Sequence, residues 1–334
     1  MTTINTVAEH AGVSLKTVSR VLTAPETVSE KTRTKVLAAI ADLNFVPDRR
    51  AQSMRSGRSG VIGLLTDVVA STPCSIDIVK GVEEALSERG MSLLIANMKN
   101  RSESSHSILR SFRADRVDGV IYAASYHREV SGFAPLHLPS VMVNCFDRDG
   151  SWPTVIPNEE GGGHSVGVHL VSLGHRRIAY LTLSPEIEAT RLRLAGLVRA
   201  LREAGLAIPD DLAVPGQSGT GAFVQEEAFV AANALLSRAD RPTAIFCGND
   251  EIAMQVYNAA GQLGISIPVD LSVVGFDDHR LFSEGLRPGL TSVALPYVQM
   301  GRLAVDVLLD GVTPRLSLVD CPFVLRKSTA AAKG

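Results

Sequence analysis

The sequence lacks the features of membrane proteins, of disulfide-rich secreted proteins and of zinc sites. Its 334 residues contain no apolar run that approaches the roughly 20 residues of a membrane span. The N-terminus also lacks the charged-then-apolar pattern of a signal peptide, so we expect a cytoplasmic protein with no membrane partner. The cysteines are few, widely spaced and without a C-x-x-C pair, which predicts buried free thiols at Cys74, Cys145, Cys247 and Cys321.

Catalytic and nucleotide-binding motifs are also missing. The sequence has no P-loop and no G-x-G-x-x-G. Residues 163–167 read G-x-S-x-G, but the NEEGG before them is not the apolar strand that a nucleophile elbow requires, so this stretch is interpreted as the start of a helix. His164 and His169 are five residues apart and do not share a helical face, and nearby carboxylates complete no metal set. We therefore predict no catalytic residue, no cofactor and no metal.

The charge is distributed unevenly along the chain. Hydrophobic residues make up 45% and charged residues 20%, which is typical of a globular protein, and the length suggests two or three domains. Residues 1–58 contain three lysines and six arginines against five acids, so this segment is basic although the whole chain has a net charge of −2. A small basic module on an acidic body suits contact with phosphates, although an ordinary solvated basic face would look the same.

The stretch from Thr3 to Thr23 predicts a helix-turn-helix. Apolar residues recur at helical spacing on both sides of a glycine, at Val7, Ala8, Ala11, Val18, Val21 and Leu22. Gly12 suits the turn because it adopts positive φ without steric cost, and Ser14 can cap the second helix. In this motif the first turn of the second helix faces the base edges of DNA, although a simple helical hairpin would show the same pattern.

Residues 28–58 add a third helix and a basic segment. Ser29 opens the helix, whose apolar face is formed by Val36, Ala39, Ile40 and Leu43. Asn44 and Pro47 end it, and the arginine-rich residues 49–55 then lead into SGRSG.

Several segments of this region together resemble the lactose/galactose repressor (LacI/GalR) family of bacterial transcription factors. They are VAEHAGVSLKTVSRVL, VSEKTRTKV, LNFVP and the segment ending in AQSM. The resemblance covers roughly Thr3 to Thr329 and implies an all-α helix-turn-helix head over residues 1–47 and a hinge helix with a linker over 48–59. It also implies a two-lobed effector-binding and dimerisation domain over 60–330, of the periplasmic-binding-protein type.

The resemblance also implies a set of DNA-binding residues. Lys16, Thr17 and Arg20 can bond bases or phosphates, whereas Leu15 either touches a thymine methyl or packs inside the head. In the hinge, Met54 matches an apolar wedge, usually leucine, that enters the minor groove, although a flexible basic linker is the alternative. The full predicted set is Thr3, Ser14, Leu15, Lys16, Thr17, Ser19, Arg20, Ser29, Thr32, Arg33, Arg50, Ala51 and Met54.

After Gly60, strand-like and helix-like runs alternate, which predicts parallel sheets with helices on both faces. The strand-like runs form two sets, at residues 61–65, 92–96, 118–124 and 140–144, and then at 176–182, 212–216, 243–250 and 271–278. The family's chain crosses between lobes three times, which implies a first lobe of about 60–160 and 291–329 and a second of about 161–290.

Polar residues at the carboxyl ends of these predicted strands mark an effector site, because open α/β sheets bind ligands there. Asp277 and Asn249 occupy such positions, although each could instead cap the following helix. Arg193 matches the family's effector-binding arginine. Phe223 either matches an aromatic residue that stacks on the ligand in the family or is a core residue. The first lobe is expected to add Thr72, Pro73, Ser125 and Asn144.

The sequence thus predicts a DNA-binding transcriptional repressor that works as a homodimer on a pseudopalindromic operator. The chain ends in RKSTAAAKG without leucine heptads, so we expect no tetramerising helix. A sugar or sugar derivative is the family's commonest effector, with nucleobases and nucleosides next. The alternatives from other classes are a solute-binding protein without a DNA role, which residues 3–58 disfavour, and an enzyme, which the missing catalytic residues disfavour.

Overall fold

The structure is a computed structural model that describes residues 2–45, 58–67, 73–98, 105–131, 138–218, 224–311 and 315–333. The chain divides into two compact units, a head of residues Met1–Ser59 and a body of residues Gly60–Gly334. Within the described ranges, no helix combines the length and the apolar composition needed to cross a bilayer.

The head consists of three helices, α1 (Ile4–Ala11), α2 (Leu15–Thr23) and α3 (Glu30–Asp42), with a 3-10 turn at Pro25–Thr27. Local chemistry sets the first boundary: Gly12 ends α1 in the left-handed region at φ +65°. Ser14 then caps α2, since its side-chain oxygen accepts a hydrogen bond from the Thr17 backbone N–H at 3.1 Å. The predicted helix-turn-helix is confirmed.

The core of the head joins all three helices. Val7, Val18 and Val36, one from each helix, are fully buried and pack with Phe45. The third helix begins after Ser29 and buries the predicted apolar face, and Asn44 follows it with φ +45°. These contacts make the head a closed three-helix unit rather than an open hairpin.

The body alternates strands and helices along the chain. In chain order its elements are β1 (Val61–Thr66), α4 (Pro73–Glu88), β2 (Ser92–Asn97), α5 (Ser105–Ala114), β3 (Gly119–Glu129), β4 (Ser140–Phe146), β5 (Thr154–Pro157), α6 (Glu159–Ser172), β6 (Ile178–Thr182), α7 (Glu188–Glu203), β7 (Ala213–Pro215), α8 (Val224–Leu236), β8 (Ala244–Cys247), α9 (Asp250–Gln262), β9 (Ser272–Asp277), α10 (Arg280–Ser283), β10 (Thr291–Ala294), α11 (Tyr297–Asp310), β11 (Leu316–Val319) and β12 (Phe323–Val324).

The strands form two six-stranded sheets, and each sheet is the centre of one lobe. The first sheet has the order β11-β5-β4-β3-β1-β2 and the second β12-β10-β9-β8-β6-β7. All neighbouring strands are parallel except the antiparallel pair β10 and β12. Each sheet has a buried apolar cluster on both faces, so the predicted parallel sheets with helices on both sides are confirmed.

The predicted division of the C-terminal segment between the lobes was wrong. Residues 291–329 were expected in the first lobe, but β10 pairs with β9 in the second sheet, with Thr291 opposite Val274, and β12 pairs with β10. Only α11 and β11 return to the first lobe, where Met300 and Val305 join its core. Strand β10 continues the second sheet because its backbone groups find partners on β9 before the chain crosses over.

The glycine-rich stretch at residues 161–163 lies inside α6 and serves packing. Ser165 donates its hydroxyl to the Gly162 carbonyl at 2.7 Å, so it is an ordinary helical serine rather than an exposed nucleophile. A Cβ atom on Gly163 would lie 2.2 Å from the Arg193 carbonyl oxygen, and one on Gly196 would lie 2.1 Å from the Glu160 carbonyl oxygen. The absence of these side chains lets α6 and α7 cross in close contact.

The cysteines form no disulfide among the described side chains. Cys145 and Cys247 are fully buried, as predicted, whereas Cys321 is only partly buried. Burial raises the pKa of all three thiols, which disfavours reactive thiolates. The side chain of Cys74 lies outside the described residues.

Candidate functional site

The predicted DNA-binding residues of the head cluster at the starts of its helices. Thr3, Ser14 and Ser29 are the residues immediately before α1, α2 and α3. Thr3 forms a capping box with Thr6: the Thr6 backbone N–H donates to the Thr3 hydroxyl at 3.3 Å, and the Thr3 backbone N–H donates to the Thr6 hydroxyl at 3.4 Å. Helix N-termini offer free backbone N–H groups, which favour contact with phosphate. Ser29 instead bonds the Thr32 hydroxyl at 2.9 Å and makes no backbone cap bond.

The first turns of α2 present the predicted recognition side chains. Leu15 is 47% exposed, so of its two alternatives it does not pack inside the head. Lys16 and Arg20 are exposed, and within the described part of the head no carboxylate pairs with either. Thr17 and Ser19 are partly buried on the same helix. Helix α2 therefore carries an apolar contact and two available cations at its surface.

The remaining predicted head residues lie on or after α3. Arg33 is on the first turn of α3 and is partly exposed. Arg50, Ala51 and Met54, the predicted hinge contacts, lie outside the described residues.

The body brings four predicted effector residues together in a cleft between the lobes. A cavity of about 20 Å³ is lined by residues of the first lobe (Ser125, Tyr126, His127 and Tyr297) and of the second (Glu159, Leu183, Ala189, Arg193, Asn249 and Asp277). The predicted Ser125, Arg193, Asn249 and Asp277 therefore share one site. This volume holds about one water molecule.

Arg193 is the buried cation of the cleft. Its Nε donates to Glu159 Oε2 at 2.6 Å and its Nη2 donates to Glu159 Oε1 at 3.2 Å, while Nη1 donates to the Gly248 carbonyl. The guanidinium carbon lies 3.6 Å from the centre of the Phe276 ring. Burial opposes the charged guanidinium, but Glu159 and Asp277 outweigh it, so the pKa of Arg193 is raised.

The alternative role of a helix cap applies to Asn249 but not to Asp277. Asn249 does cap α9, since its Oδ1 accepts from the Ile252 backbone N–H at 2.9 Å, and it also lines the cavity. Asp277 caps nothing: α10 begins after His279 without a side-chain cap. Asp277 has φ +106°, a conformation that is costly for a non-glycine residue and that often occurs at functional sites. Burial raises its pKa well above the usual range, although the charge of Arg193 opposes this.

Asn144, another predicted effector residue, is not among the described residues that line this cavity. Asn144 is buried, has φ +56° and donates its side-chain N–H to the Ala124 carbonyl at 3.0 Å, so it holds β3 and β4 together. Pro73 is the first residue of α4. Thr72 and Phe223 lie outside the described residues.

Six residues of the cavity were missed by sequence reasoning, among them Glu159 and His127. Glu159, the partner of Arg193, is the first residue of α6 and its side chain is only 1% exposed. His127 on β3 is buried, and neither ring nitrogen has a hydrogen-bond partner among the described residues. Burial lowers the pKa of His127, so the ring is neutral at pH 7 with one donor and one acceptor available. His127 lies just beyond an apolar run, which is the same signal that marked Asp277.

The buried carboxyl group of Asp250, the residue after Asn249, connects elements next to the cleft. Asp250 accepts hydrogen bonds from the Ser292 hydroxyl and from the His279 backbone N–H, both at 2.7 Å. Burial raises the pKa of Asp250 to about 7, although these two bonds oppose the shift. The network joins α9 to β10 and to the turn that follows Asp277.

A larger cavity of about 470 Å³ adjoins the cleft, and His127 lines both. Its wall includes Trp152, the single tryptophan of the chain, from the first lobe and Glu188 and Leu192 of α7 from the second. Both lobes therefore contribute to its wall.

Comparisons with known proteins agree with this arrangement. Residues 3–48 match the family model "Bacterial regulatory proteins, lacI family", and residues 168–329 match the model "Periplasmic binding protein-like domain". The chain is 37% identical over 318 residues to the ribose operon repressor of Escherichia coli K12, with 94% of each chain covered.

Two solved structures are also similar over nearly the whole chain. A transcriptional regulator CelR–cellobiose complex has a TM-score of 0.66 at 30% identity, covering 98% of this chain and 100% of the other. The Lac repressor dimer bound to operator and the anti-inducer ONPF has a TM-score of 0.76 at 28% identity, covering 99% of each chain. The chain therefore belongs to the LacI family of bacterial regulatory proteins, and it is a DNA-binding transcriptional regulator rather than an enzyme.

Proposed function

We propose that this regulator is a cytoplasmic repressor that binds a pseudopalindromic operator as a homodimer and changes its DNA affinity when a sugar or sugar derivative enters the cleft. The observation that carries the proposal is the shared cavity of Ser125, Arg193, Asn249 and Asp277, which has walls from both lobes. The Lac repressor relative is a dimer on operator, and the CelR relative holds cellobiose, which supports both halves of the proposal.

On the DNA side, α2 reads the major groove. Arg20 and Lys16 are exposed and without carboxylate partners in the described head, so both can bond guanine or phosphate acceptors. Leu15 offers an apolar contact such as a thymine methyl. The residues at the starts of α1 and α3 position the head on the backbone through phosphate contacts. In the hinge, Arg50, Ala51 and Met54 complete the interface, with Met54 as the minor-groove wedge.

On the effector side, the cleft offers the groups that recognise hydroxyls. Arg193 donates, Asp277 accepts, and the neutral His127 can do either. Hydroxyl-rich molecules match such a set because each hydroxyl both donates and accepts. Thr72, Pro73, Asn144 and Phe223 are further proposed contacts. The present cavity of about 20 Å³ is too small for a monosaccharide, so binding requires the lobes or their side chains to move.

This movement is the basis of regulation. A ligand shifts a conformational equilibrium only by its difference in affinity for the two states. An effector that binds the more open cleft better than the closed one therefore favours the open body, and the hinge transmits the change to the paired heads.

The proposal is tested by comparing two neighbouring aspartates. Asp277→Asn removes an acceptor from the cavity, whereas Asp278→Asn alters a residue that instead pairs with Arg326 at 2.6 Å. A panel of neutral sugars and nucleosides is screened by thermal shift, because a ligand of the native state raises the melting temperature. We expect a sugar hit that Asp277→Asn weakens at least tenfold and Asp278→Asn leaves intact. A hit unaffected by Asp277→Asn would place the effector elsewhere.

The choice of Asp277 avoids a problem with Arg193. Replacement of Arg193 by Ala would leave Glu159 buried without its partner, and breaking a buried ion pair in this way costs about 3–5 kcal/mol. Loss of binding in Arg193→Ala would then not distinguish a lost contact from a damaged cleft.

A further inference from the structure

We infer that the effector site accepts neutral molecules and rejects anions, and that Glu159 is the residue that sets this selectivity. The inference rests on the proposed function, since it assumes that the effector occupies the cleft around Arg193. It adds the charge class of the ligand and the residue that determines it.

The charge of Arg193 is already balanced. Two N–H groups of its guanidinium meet the two oxygens of Glu159, at 2.6 and 3.2 Å, which is the paired geometry that makes arginine–carboxylate contacts strong. The side chains are 3% and 1% exposed. Both charges therefore interact with little screening by solvent.

Arg193 keeps hydrogen-bonding capacity after this pairing. A guanidinium has five N–H donors, and Glu159 and the Gly248 carbonyl account for three of them. The other two can donate to hydroxyl oxygens. Asp277 Oδ1, at 3.9 Å from Nη2, is too distant to take one directly. Arg193 can thus recognise a pair of hydroxyls while it offers no net charge.

Two arginines that are themselves close in sequence to a cavity residue, or whose partner is, are also paired. Arg128, the residue after His127, donates to Asp67 at 3.0 Å, and Arg326 pairs with Asp278, the residue after Asp277, at 2.6 Å. Among the described residues that line the cavity, Arg193 is the single charged base, and Glu159 and Asp277 are the acids.

An anionic ligand would therefore lose its hydration without gaining a counter-charge, and it would lie near Glu159. Transfer of a neutral polyol from water into the cleft costs much less free energy. We expect the site to prefer a neutral ligand over its carboxylate or phosphate counterpart by at least 100-fold.

The test converts the cleft into an anion site. Glu159→Gln leaves a side chain of similar shape but frees the charge of Arg193. Sulfate is titrated at constant ionic strength against full-length protein, with melting temperature as the readout. We expect a saturable sulfate shift in Glu159→Gln, with an apparent Kd at least tenfold below any seen in the wild type. The double variant Glu159→Gln/Arg193→Gln should lose that shift, because the cation is gone.

The matched control is Glu160→Gln. Glu160 is the next residue of α6, but its carboxylate pairs with Arg199 at 2.6 Å on the surface, so this variant should respond to sulfate as the wild type does. A sulfate shift of equal size in Glu160→Gln, or none in Glu159→Gln, would overturn the inference.

A measurement on the wild type tests the same selectivity if Glu159→Gln does not fold. The wild type is titrated with sulfate and with D-galacturonate beside D-galactose, again at constant ionic strength. Saturable stabilisation by either anion would overturn the inference, and its absence supports it. These anion readouts are independent of the Asp277→Asn experiment, so the selectivity and the effector site can fail separately.

Discussion

The close contact of α6 and α7 makes Gly163→Ala a sharp perturbation of the effector site. The new Cβ would lie 2.2 Å from the Arg193 carbonyl oxygen. Ordinary contacts begin near 3.4 Å, so the α7 backbone must withdraw by roughly 1 Å. Because the opposing atom belongs to the backbone, no side-chain rotation relieves the clash.

The size of the effect follows from two opposing contributions. Overpacking of this kind costs about 1–3 kcal/mol. The better helix propensity of alanine returns about 1 kcal/mol. The control is Gly261→Ala in α9, where a Cβ meets no atom within 4 Å and only the favourable contribution remains. We therefore expect the two variants to differ by about 1–3 kcal/mol in the free energy of unfolding.

The assay is the melting temperature of the full-length protein. For a domain of this size, 1 kcal/mol corresponds to about 2–4 °C. Gly163→Ala should melt several degrees below Gly261→Ala and should also weaken effector binding, because Arg193 moves with α7. Equal melting temperatures for the two variants would refute the packing reasoning.

Three further predictions concern pH, the head and the salt dependence of DNA binding. The pKa of Asp250 is about 7 when folded and about 3.9 when unfolded, so the stability due to this group is full below about pH 4 and is lost as pH rises to about 7. Asp250→Asn should therefore gain about 2–3 kcal/mol relative to the wild type between pH 5 and pH 8 in denaturant titrations, and a constant difference would contradict this. Val18→Ala removes a fully buried side chain and should lower the hydrogen-exchange protection of α3 by about 30-fold, for about 2 kcal/mol, whereas Leu37→Ala, which is 51% exposed, should change it little. Lys16→Ala should reduce the slope of log affinity against log salt by about 1 in anisotropy titrations, and an unchanged slope would exclude a phosphate contact.

Local signals predicted the head almost to the residue. Gly12 and Ser14 act within one turn of their own positions, so their chemistry can be read without knowing the rest of the fold. In the body, the strands with long apolar runs were predicted for the same reason. Strands β5 and β11 were not predicted, and their length alone does not explain this, because β7 and β8 are as short or shorter and were predicted.

Contacts between distant residues were the part that sequence could not supply. The placement of β10 depends on its pairing with β9, which no local pattern encodes. Arg193 was identified by its motif, but its partner Glu159 is 34 residues away and belongs to a different helix. His127 carried a usable signal at the end of an apolar run, although its lack of partners is visible only in the folded cleft.

The most direct test of the account is a selection of duplexes from a random DNA library by the full-length protein, followed by anisotropy titration of the recovered sequence and of a scrambled one. We predict a two-fold symmetric site, bound at least about 1,000-fold more tightly than the scrambled duplex at physiological salt. Recovery of sequences without two-fold symmetry, or equal affinity for the scrambled duplex, would contradict a dimeric, sequence-specific regulator.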